Sequence, residues 1–338
     1  MKDLHCFIIY TEHHTMQLDR AIDYYHIPLS KVIIVLYVYQ HLHRDLDWID
    51  RLKIKYAKCY SIFQYKAWGI NKIQYITLRK EIIKFKIDLL KLKFKIVGLY
   101  SSLYVDSAFV AYNLLGKPHF TLLDEGTASF GIILLRRKKV PIQFIIKESI
   151  AHLIIFRYPK KINYFSQYQL QIDNDDTIDN YEFKKTNNQL LLIDESVLLL
   201  GSSASEVNVM SESNYLLLVN SVRQRFSNSI LSYYPHRFEN ENKLKQIQQL
   251  GFIIQENKVP FELLFSSLTE CPKTVLCFGS PILGNILQMF TITPKCIMIK
   301  PHFDFYLKDA SIYMDIYDHY TIFKEIEIWE VDNRDWPV

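Results

Sequence analysis

Five short stretches of the 338-residue chain place side chains that do chemistry beside residues that turn the backbone. Asp124-Glu125-Gly126 sets two carboxylates before a glycine. Tyr234-Pro235-His236 ends an apolar run in a histidine, and Pro260-Phe261-Glu262 ends the next element in a carboxylate. Gly201-Ser202-Ser203 and Gly279-Ser280-Pro281 are small-residue turns rich in hydroxyls. One of two neighbouring carboxylates can act as a general base while the other orients it or a substrate hydroxyl. The glycine beside them permits a tight turn or a close backbone approach. Histidine is available as acid, base or cation near neutral pH. Serines ahead of a helix N-terminus suit a phosphate. Each stretch also has a plain structural explanation. Asp124-Glu125 could be the acidic first turn of a helix, His236 a loop histidine and Glu262 a surface glutamate. Their convergence on strand ends carries more weight than any one of them.

The elements that would position these residues alternate. Cys6–Tyr10 and Val32–Val38 read as buried strands, with a helix over Met16–His26 between them. His13 and His14 fall in the polar loop after the first strand. Lys95–Tyr100 and His119–Leu123 are strands separated by a helix over Val105–Leu115 that stops at Gly116. A second alternating set follows. Strands are expected at Ser196–Leu200, Ile230–Tyr234, Phe252–Gln255 and Thr274–Phe278. Helices are expected at Tyr215–Phe226, Asn240–Leu250, Leu263–Leu268 and Ile282–Met289. Strand–helix alternation at this spacing is the pattern of parallel α/β sheets, which bind ligands beyond the carboxyl ends of their strands. His236, Glu262, Ser202, Ser203, Ser280 and Asp124 all fall at such ends.

The length is comfortable for two domains. Between the two alternating sets, residues 171–189 are acidic and polar, and are expected to connect a domain over 1–170 to one over 190–310. The last segment, 311–338, is expected to pack back on the first domain. The acidic stretch lacks the glycine and final glutamate of a calcium loop. A net charge of +4 is too small to argue nucleic-acid binding. The cysteines at 6, 59, 271, 277 and 296 lack zinc or disulfide spacing and fit a reducing compartment. There is no GxGxxG and no P-loop.

Two basic stretches stand apart from these turns. Lys80, Lys84, Lys91 and Lys95 can share one side of a helix, and Arg136-Arg137-Lys138-Lys139 precedes the apolar run 140–156. Lys147, Glu148 and His152 interrupt that run, so it does not read as a membrane span. A solvated helix face explains the lysines, and so does a surface that lies on anionic lipid.

In order and spacing, these motifs resemble those of the bacterial sialyltransferases, over about residues 5–290. Leu123-Asp124-Glu125-Gly126-Thr127-Ala128 is similar to their acidic-acidic-glycine motif, and Tyr234-Pro235-His236 to their His-Pro motif. Pro260-Phe261-Glu262 is similar to the Pro-x-Glu that follows, and Ser280-Pro281-Ile282-Leu283 to Ser-Ser-x-Leu. The strongest likeness is to the lipooligosaccharide and capsule enzymes of glycosyltransferase family 52 and its neighbours. Arg237 stands where that family has proline, and Pro281 stands in place of the second serine.

The resemblance implies a GT-B fold, two Rossmann-like domains facing across a cleft. It implies CMP-sialic acid as donor, inversion at the anomeric carbon, a bacterial surface glycan as acceptor, and neither metal nor other cofactor. On that pattern Asp124 is the general base, with Glu206 as its rival, and His236 is the acid or cationic partner of the leaving phosphate. Glu262 takes ribose hydroxyls, and Ser280, Ser202 and Ser203 donate to the phosphate. Glu125, Gly126 and Pro235 complete the substrate contacts. A cytoplasmic protein with peripheral contact to the anionic inner membrane is expected, with a homodimer left open. Two alternatives stand beside this reading: another GT-B enzyme using a different nucleotide sugar, and a non-catalytic capsule-assembly protein.

Overall fold

The computed structural model divides into two compact units, Met1–Tyr181 and Glu182–Val338. The residues it describes are 2–39, 47–56, 59–64, 72–91, 94–124, 129, 132–133, 136, 141–152, 155–173, 175–182, 185–187, 189–256, 259–307 and 310–332. Glu125 and Gly126 lie outside them, as do residues 137–140 of the second basic run.

In the first unit the elements run β1 (Lys2–Ile9), α1 (His13–Tyr24), β2 (Val32–Tyr39), α2 (Asp47–Lys55), β3 (Cys59–Gln64) and α3 (Lys72–Lys91). There follow β4 (Phe94–Ser101), α4 (Asp106–Leu114), β5 (His119–Leu123), α5 (Ile142–His152), β6 (Asn163–Ser166) and β7 (Thr177–Asn180). The strands form one seven-stranded sheet in the order β3-β2-β1-β4-β5-β6-β7, with every pairing parallel. Chain order reverses between β1 and β4, so the ligand crevice expected of such a sheet opens there. β2 and the second half of β1 are continuous apolar runs because both faces of a parallel strand are covered. Cys6 to Tyr10 and Ile33 to Tyr37 are accordingly buried.

The second unit runs β8 (Leu191–Leu200), α6 (Glu212–Arg225), β9 (Ile230–Tyr234), α7 (Glu241–Gln249), β10 (Ile253–Ile254), α8 (Phe261–Ser267), β11 (Glu270–Phe278), α9 (Ile282–Met289), β12 (Lys295–Pro301), α10 (Ser311–Tyr320) and β13 (Ile326–Val331). Its six strands pair in parallel in the order β10-β9-β8-β11-β12-β13. Here the reversal falls between β8 and β11. β8 is exposed over its first half and buried from Ser196 to Leu200, where it becomes the sheet's centre.

Several expectations change. The acidic stretch 171–189 does not act as a free connection. Thr177–Asn180 is the edge strand of the first sheet. Asp176 is buried, and its carboxylate takes Arg136 Nε at 2.5 Å, Arg136 Nη2 at 2.7 Å and the Ile162 amide at 2.8 Å. Asp179 accepts from Tyr25 Oη at 2.6 Å and Asn163 Nδ2 at 2.7 Å. A run of carboxylates looks solvated in sequence. Here inward-facing partners 14 to 154 residues away consume them. The same contacts remove Arg136 from the basic surface. Lys95 leaves it too, since it lies on β4 beside Asp3. In the C-terminal segment, Ile326–Val331 completes the second sheet against β12. His13 and His14 open α1 instead of forming a loop, and His14 is buried, its Nδ1 accepting from the Tyr10 amide at 3.3 Å.

Candidate functional site

At the carboxyl edge of the second sheet, neighbouring strands deliver three of the turns singled out by sequence. β8 ends in Gly201-Ser202-Ser203, β9 in Pro235-His236 and β11 in Gly279-Ser280. Ser202 and Ser203 do not precede a helix N-terminus as expected. A compact turn intervenes, with Val207 N–H bonding the Ser203 carbonyl at 3.1 Å and Val209 N–H the Ala204 carbonyl at 2.8 Å. Only then does Ser211 cap α6, accepting from the Asn214 amide at 3.0 Å. Pro281 is the N-cap residue of α9, and Ser280 Oγ accepts from the Ile282 amide at 3.4 Å.

A buried charged network, built around Lys243, ties the β8 and β9 turns together. Lys243 sits on α7 with no exposed surface. Its ammonium donates to the Ser202 carbonyl at 2.8 Å, Ser205 Oγ at 3.0 Å and Glu206 Oε2 at 3.1 Å. It pairs with Glu239 Oε1 at 2.8 Å and lies 3.7 Å from the centre of the Tyr215 ring. Glu239 also accepts from Tyr233 Oη at 2.5 Å and from the His236 amide at 2.6 Å. Since Tyr233 gives its proton to Glu239, it accepts from Tyr215 Oη at 2.7 Å, which in turn accepts from the Ser202 amide at 2.9 Å. The buried side-chain N and O atoms of Lys243, Glu239, Tyr233 and Tyr215 all have partners, as a buried network requires. Burial pushes the Glu239 carboxyl above its usual range against the pull of Lys243. Gly201 is needed for this approach: a Cβ there would overlap Glu239 Oε2 and stand 2.9 Å from the His236 amide nitrogen.

His236 is half-buried. Burial, followed by the charges of Arg237 and Lys243, lowers its pKa to about 4. With no ligand beside it, the imidazole is therefore neutral at physiological pH. Its Nδ1 accepts from the Phe238 amide at 3.3 Å. The tautomer that satisfies this bond carries its proton on Nε2, so the ring presents one N–H donor. Glu206, the rival base, is occupied. Burial opposes its charge, but Lys243 and backbone N–H groups outweigh burial and hold its carboxyl below the usual range. Its Oε1 takes the Asn240 amide and Nδ2, both at 3.2 Å.

Glu262 is buried in the first turn of α8, where Asn285 Nδ2 of α9 donates to its Oε1 at 2.9 Å. Tyr234 Oη reaches the Val259 carbonyl at 2.5 Å, and the Tyr234 and Phe261 rings meet edge-on at 5.2 Å. These contacts hold the segment that carries Glu262 against the end of β9.

Asp124 stands apart from this group, at the end of β5 in the first unit. It is 2% exposed. Its Oδ1 accepts from Ser129 Oγ at 2.7 Å, and its Oδ2 from Ser166 Oγ and the Gln167 amide, both at 3.2 Å. On the same edge of this sheet, Thr11 follows β1 and Ser102 follows β4. Both hydroxyls are buried and have no hydrogen-bond partner among the described residues.

Sequence reasoning missed Lys243, Glu239 and Asn285. A signal existed for the first two: Glu239 and Lys243 are spaced i,i+4 directly after His236, the spacing of a helical ion pair. The surrounding glutamines and lysines made that pair look solvated. Asn285 had no local signal.

Neither a protein-family model nor a curated protein sequence matches the chain. Solved structures do align. TcCGT1 in complex with UDP aligns with a TM-score of 0.53 at 9% identity, over 100% of this chain and 88% of its own. The glycotransferase of kitacinnamycin aligns at 0.52 and 9%, over 98% and 86%. UGT2 of Phytolacca americana, with UDP-2fluoro-glucose and pterostilbene, aligns at 0.50 and 11%, over 99% and 87%. At such identity these likenesses speak to the fold. It is α/β, two Rossmann-like units of the GT-B class.

Proposed function

We propose that the chain is an inverting glycosyltransferase that binds a nucleotide sugar in its second unit and passes the sugar to a hydroxyl of a bacterial surface glycan. One observation carries this. Ser202, Ser203, His236 and Ser280 gather at the carboxyl edge of β8, β9 and β11, the switch point where parallel α/β sheets bind ligands. The fold neighbours include proteins solved with UDP and with UDP-2fluoro-glucose, which supports a nucleotide-sugar donor.

The donor we favour is CMP-sialic acid, because Asp124-Glu125-Gly126, Pro235-His236, Glu262 and Ser280 follow the sialyltransferase pattern in order. Transfer passes through an oxocarbenium-like transition state while the nucleotide phosphate departs. In this reading the Nε2–H of His236 and the hydroxyls of Ser202, Ser203 and Ser280 meet the charge on that phosphate. A bound anion favours the imidazolium, so His236 can gain its charge from the donor it receives. Glu262, oriented by Asn285, takes ribose hydroxyls. Asp124 removes the acceptor's proton, with Glu125 and Gly126 beside it. Glu206 is the weaker candidate for that task because Lys243 and Asn240 already occupy both its oxygens. Neither a metal nor another cofactor enters this scheme.

A specific observation favours a second reading, a different nucleotide sugar. Pro281 caps α9 without a hydroxyl where the sialyltransferase pattern has its second serine. Melting with saturating CMP, UDP or GDP separates the two, together with nucleotide release from the corresponding sugars. Stabilisation by CMP and CMP release unaffected by EDTA are expected. A shift with UDP and none with CMP would move the assignment to a hexosyl donor. No turnover of any donor would leave a non-catalytic assembly role.

A further inference from the structure

The first unit carries a surface that its fold does not use. Helices α3 and α5 pack against each other. α3 turns Phe85 and Leu89 inward, and its opposite face presents Lys80, Lys84, Ile87, Leu90 and Lys91. On α5, Ile142 and Ile146 lie one turn apart and point outward beside Lys147, and exposed Ile155 and Arg157 follow the helix. Ile142 is 72% exposed, Ile155 71% and Leu90 58%. Scattered exposed apolar residues need no explanation, but here four stand on one pair of packed helices and a fifth, Ile155, follows the second of them. Glu81 and Asp88 are the carboxylates described on these faces, and Asp88 is 3.8 Å from Lys91, so the balance is basic.

We propose that this α3–α5 face docks on an anionic lipid bilayer, with Ile87, Leu90, Ile142, Ile146 and Ile155 entering the interface and the lysines meeting lipid phosphates. The composition selects lipid over a protein partner. Protein interfaces are depleted in lysine at their centre and anchored by aromatic or arginine residues. Here aliphatic side chains stand among lysines, whose stems lie along apolar surface while their ammonium groups reach outward. The contact is peripheral, because among the described residues no helix is long and apolar enough to cross a membrane. Arg136, held by Asp176, takes no part.

Co-sedimentation with vesicles tests this independently of any transferase activity. The full chain should bind phosphatidylcholine vesicles containing phosphatidylglycerol and not phosphatidylcholine alone, and rising salt should weaken binding. Ile142→Ser with Ile146→Ser, and separately Lys84→Glu with Lys91→Glu, should each weaken binding about tenfold. Ile253→Ser, at an exposed isoleucine of β10 in the second unit, should change nothing. All five positions are exposed, so melting curves should match the parent chain. Failure of the parent chain to bind phosphatidylglycerol vesicles overturns the proposal, and so does undiminished binding by both double variants. Lipid-free self-association that the isoleucine variant abolishes, without vesicle binding, assigns the face to a second copy and also overturns it.

Discussion

The carboxyl edges of the two sheets are built from different materials. In the second sheet, a buried ammonium, two carboxylates and two tyrosines lock the β8 turn to the β9 turn. At the first sheet, Asp124 accepts from Ser129 Oγ, Ser166 Oγ and the Gln167 amide, and the Thr11 and Ser102 hydroxyls that follow β1 and β4 have no partner among the described residues. Charge buried with full pairing fixes geometry at high cost if one member is lost. The second edge is thus fixed by paired buried charge, while the first leaves two buried hydroxyls without a partner among the described residues.

The sharpest test of this contrast is Lys243→Met. It strands Glu206 and Glu239 without a counter-charge and should cost about 3–5 kcal/mol, as losing one partner of a buried pair does. Hydrogen exchange should show the loss in β8 and β9 and leave β1 and β4 protected. Equal loss in both sheets would mean that the network is not local to one edge.

Next comes Asp124→Asn. If the first edge supplies the base, turnover falls by about 10²-fold or more while CMP affinity stays. His236→Ala should instead damage nucleotide binding and turnover together. Near-normal turnover in Asp124→Asn, with Glu206→Gln inactive, would transfer the base to the second edge.

Gly201→Ala should cost about 1–3 kcal/mol, because its methyl meets Glu239 and the His236 backbone, which cannot yield without breaking the network. Gly116→Ala, which meets open space but sits at φ +88°, should cost only about 1 kcal/mol. Urea titrations of the pair measure the difference, and equal costs would argue that the approach at Gly201 relaxes freely.

The smallest effect is the pH response of His236. Its folded pKa of about 4 lies below its unfolded value of 6.5. The unfolded chain therefore binds more protons between those values, and stability rises with pH across that window. The contribution is complete above about pH 6.5 and is lost as pH falls towards 4. His236→Gln should flatten the slope by about 1–3 kcal/mol over the window, and an unchanged slope would mean that the imidazole is better solvated than its surroundings indicate.

Much of this was legible in the chain itself. Continuous apolar runs such as Val32–Val38 announce strands buried on both faces, and their alternation with helices announces parallel sheets. The turns at Gly201, His236 and Gly279 follow from where those runs stop, so the chain's own order placed Ser202, His236 and Ser280 at strand ends. Five strands escaped notice: β3, β6, β7, β12 and β13. β7 is the instructive case, since Thr-Ile-Asp-Asn within an acidic run has no apolar pattern, and pairing with β6 makes it a strand.

What the chain could not state is which charges are buried. Lys243 and Lys245 stand two residues apart on one helix and are identical as letters, yet the first is sealed among Glu206, Glu239 and Tyr215, and the second faces solvent. Asp176 sits in an acidic run but belongs to Arg136, 40 residues earlier. Local sequence fixes backbone preference and apolar period, because both act over a few residues. The partner of a buried charge lies a whole element away, and only the packed sheet brings the two within reach.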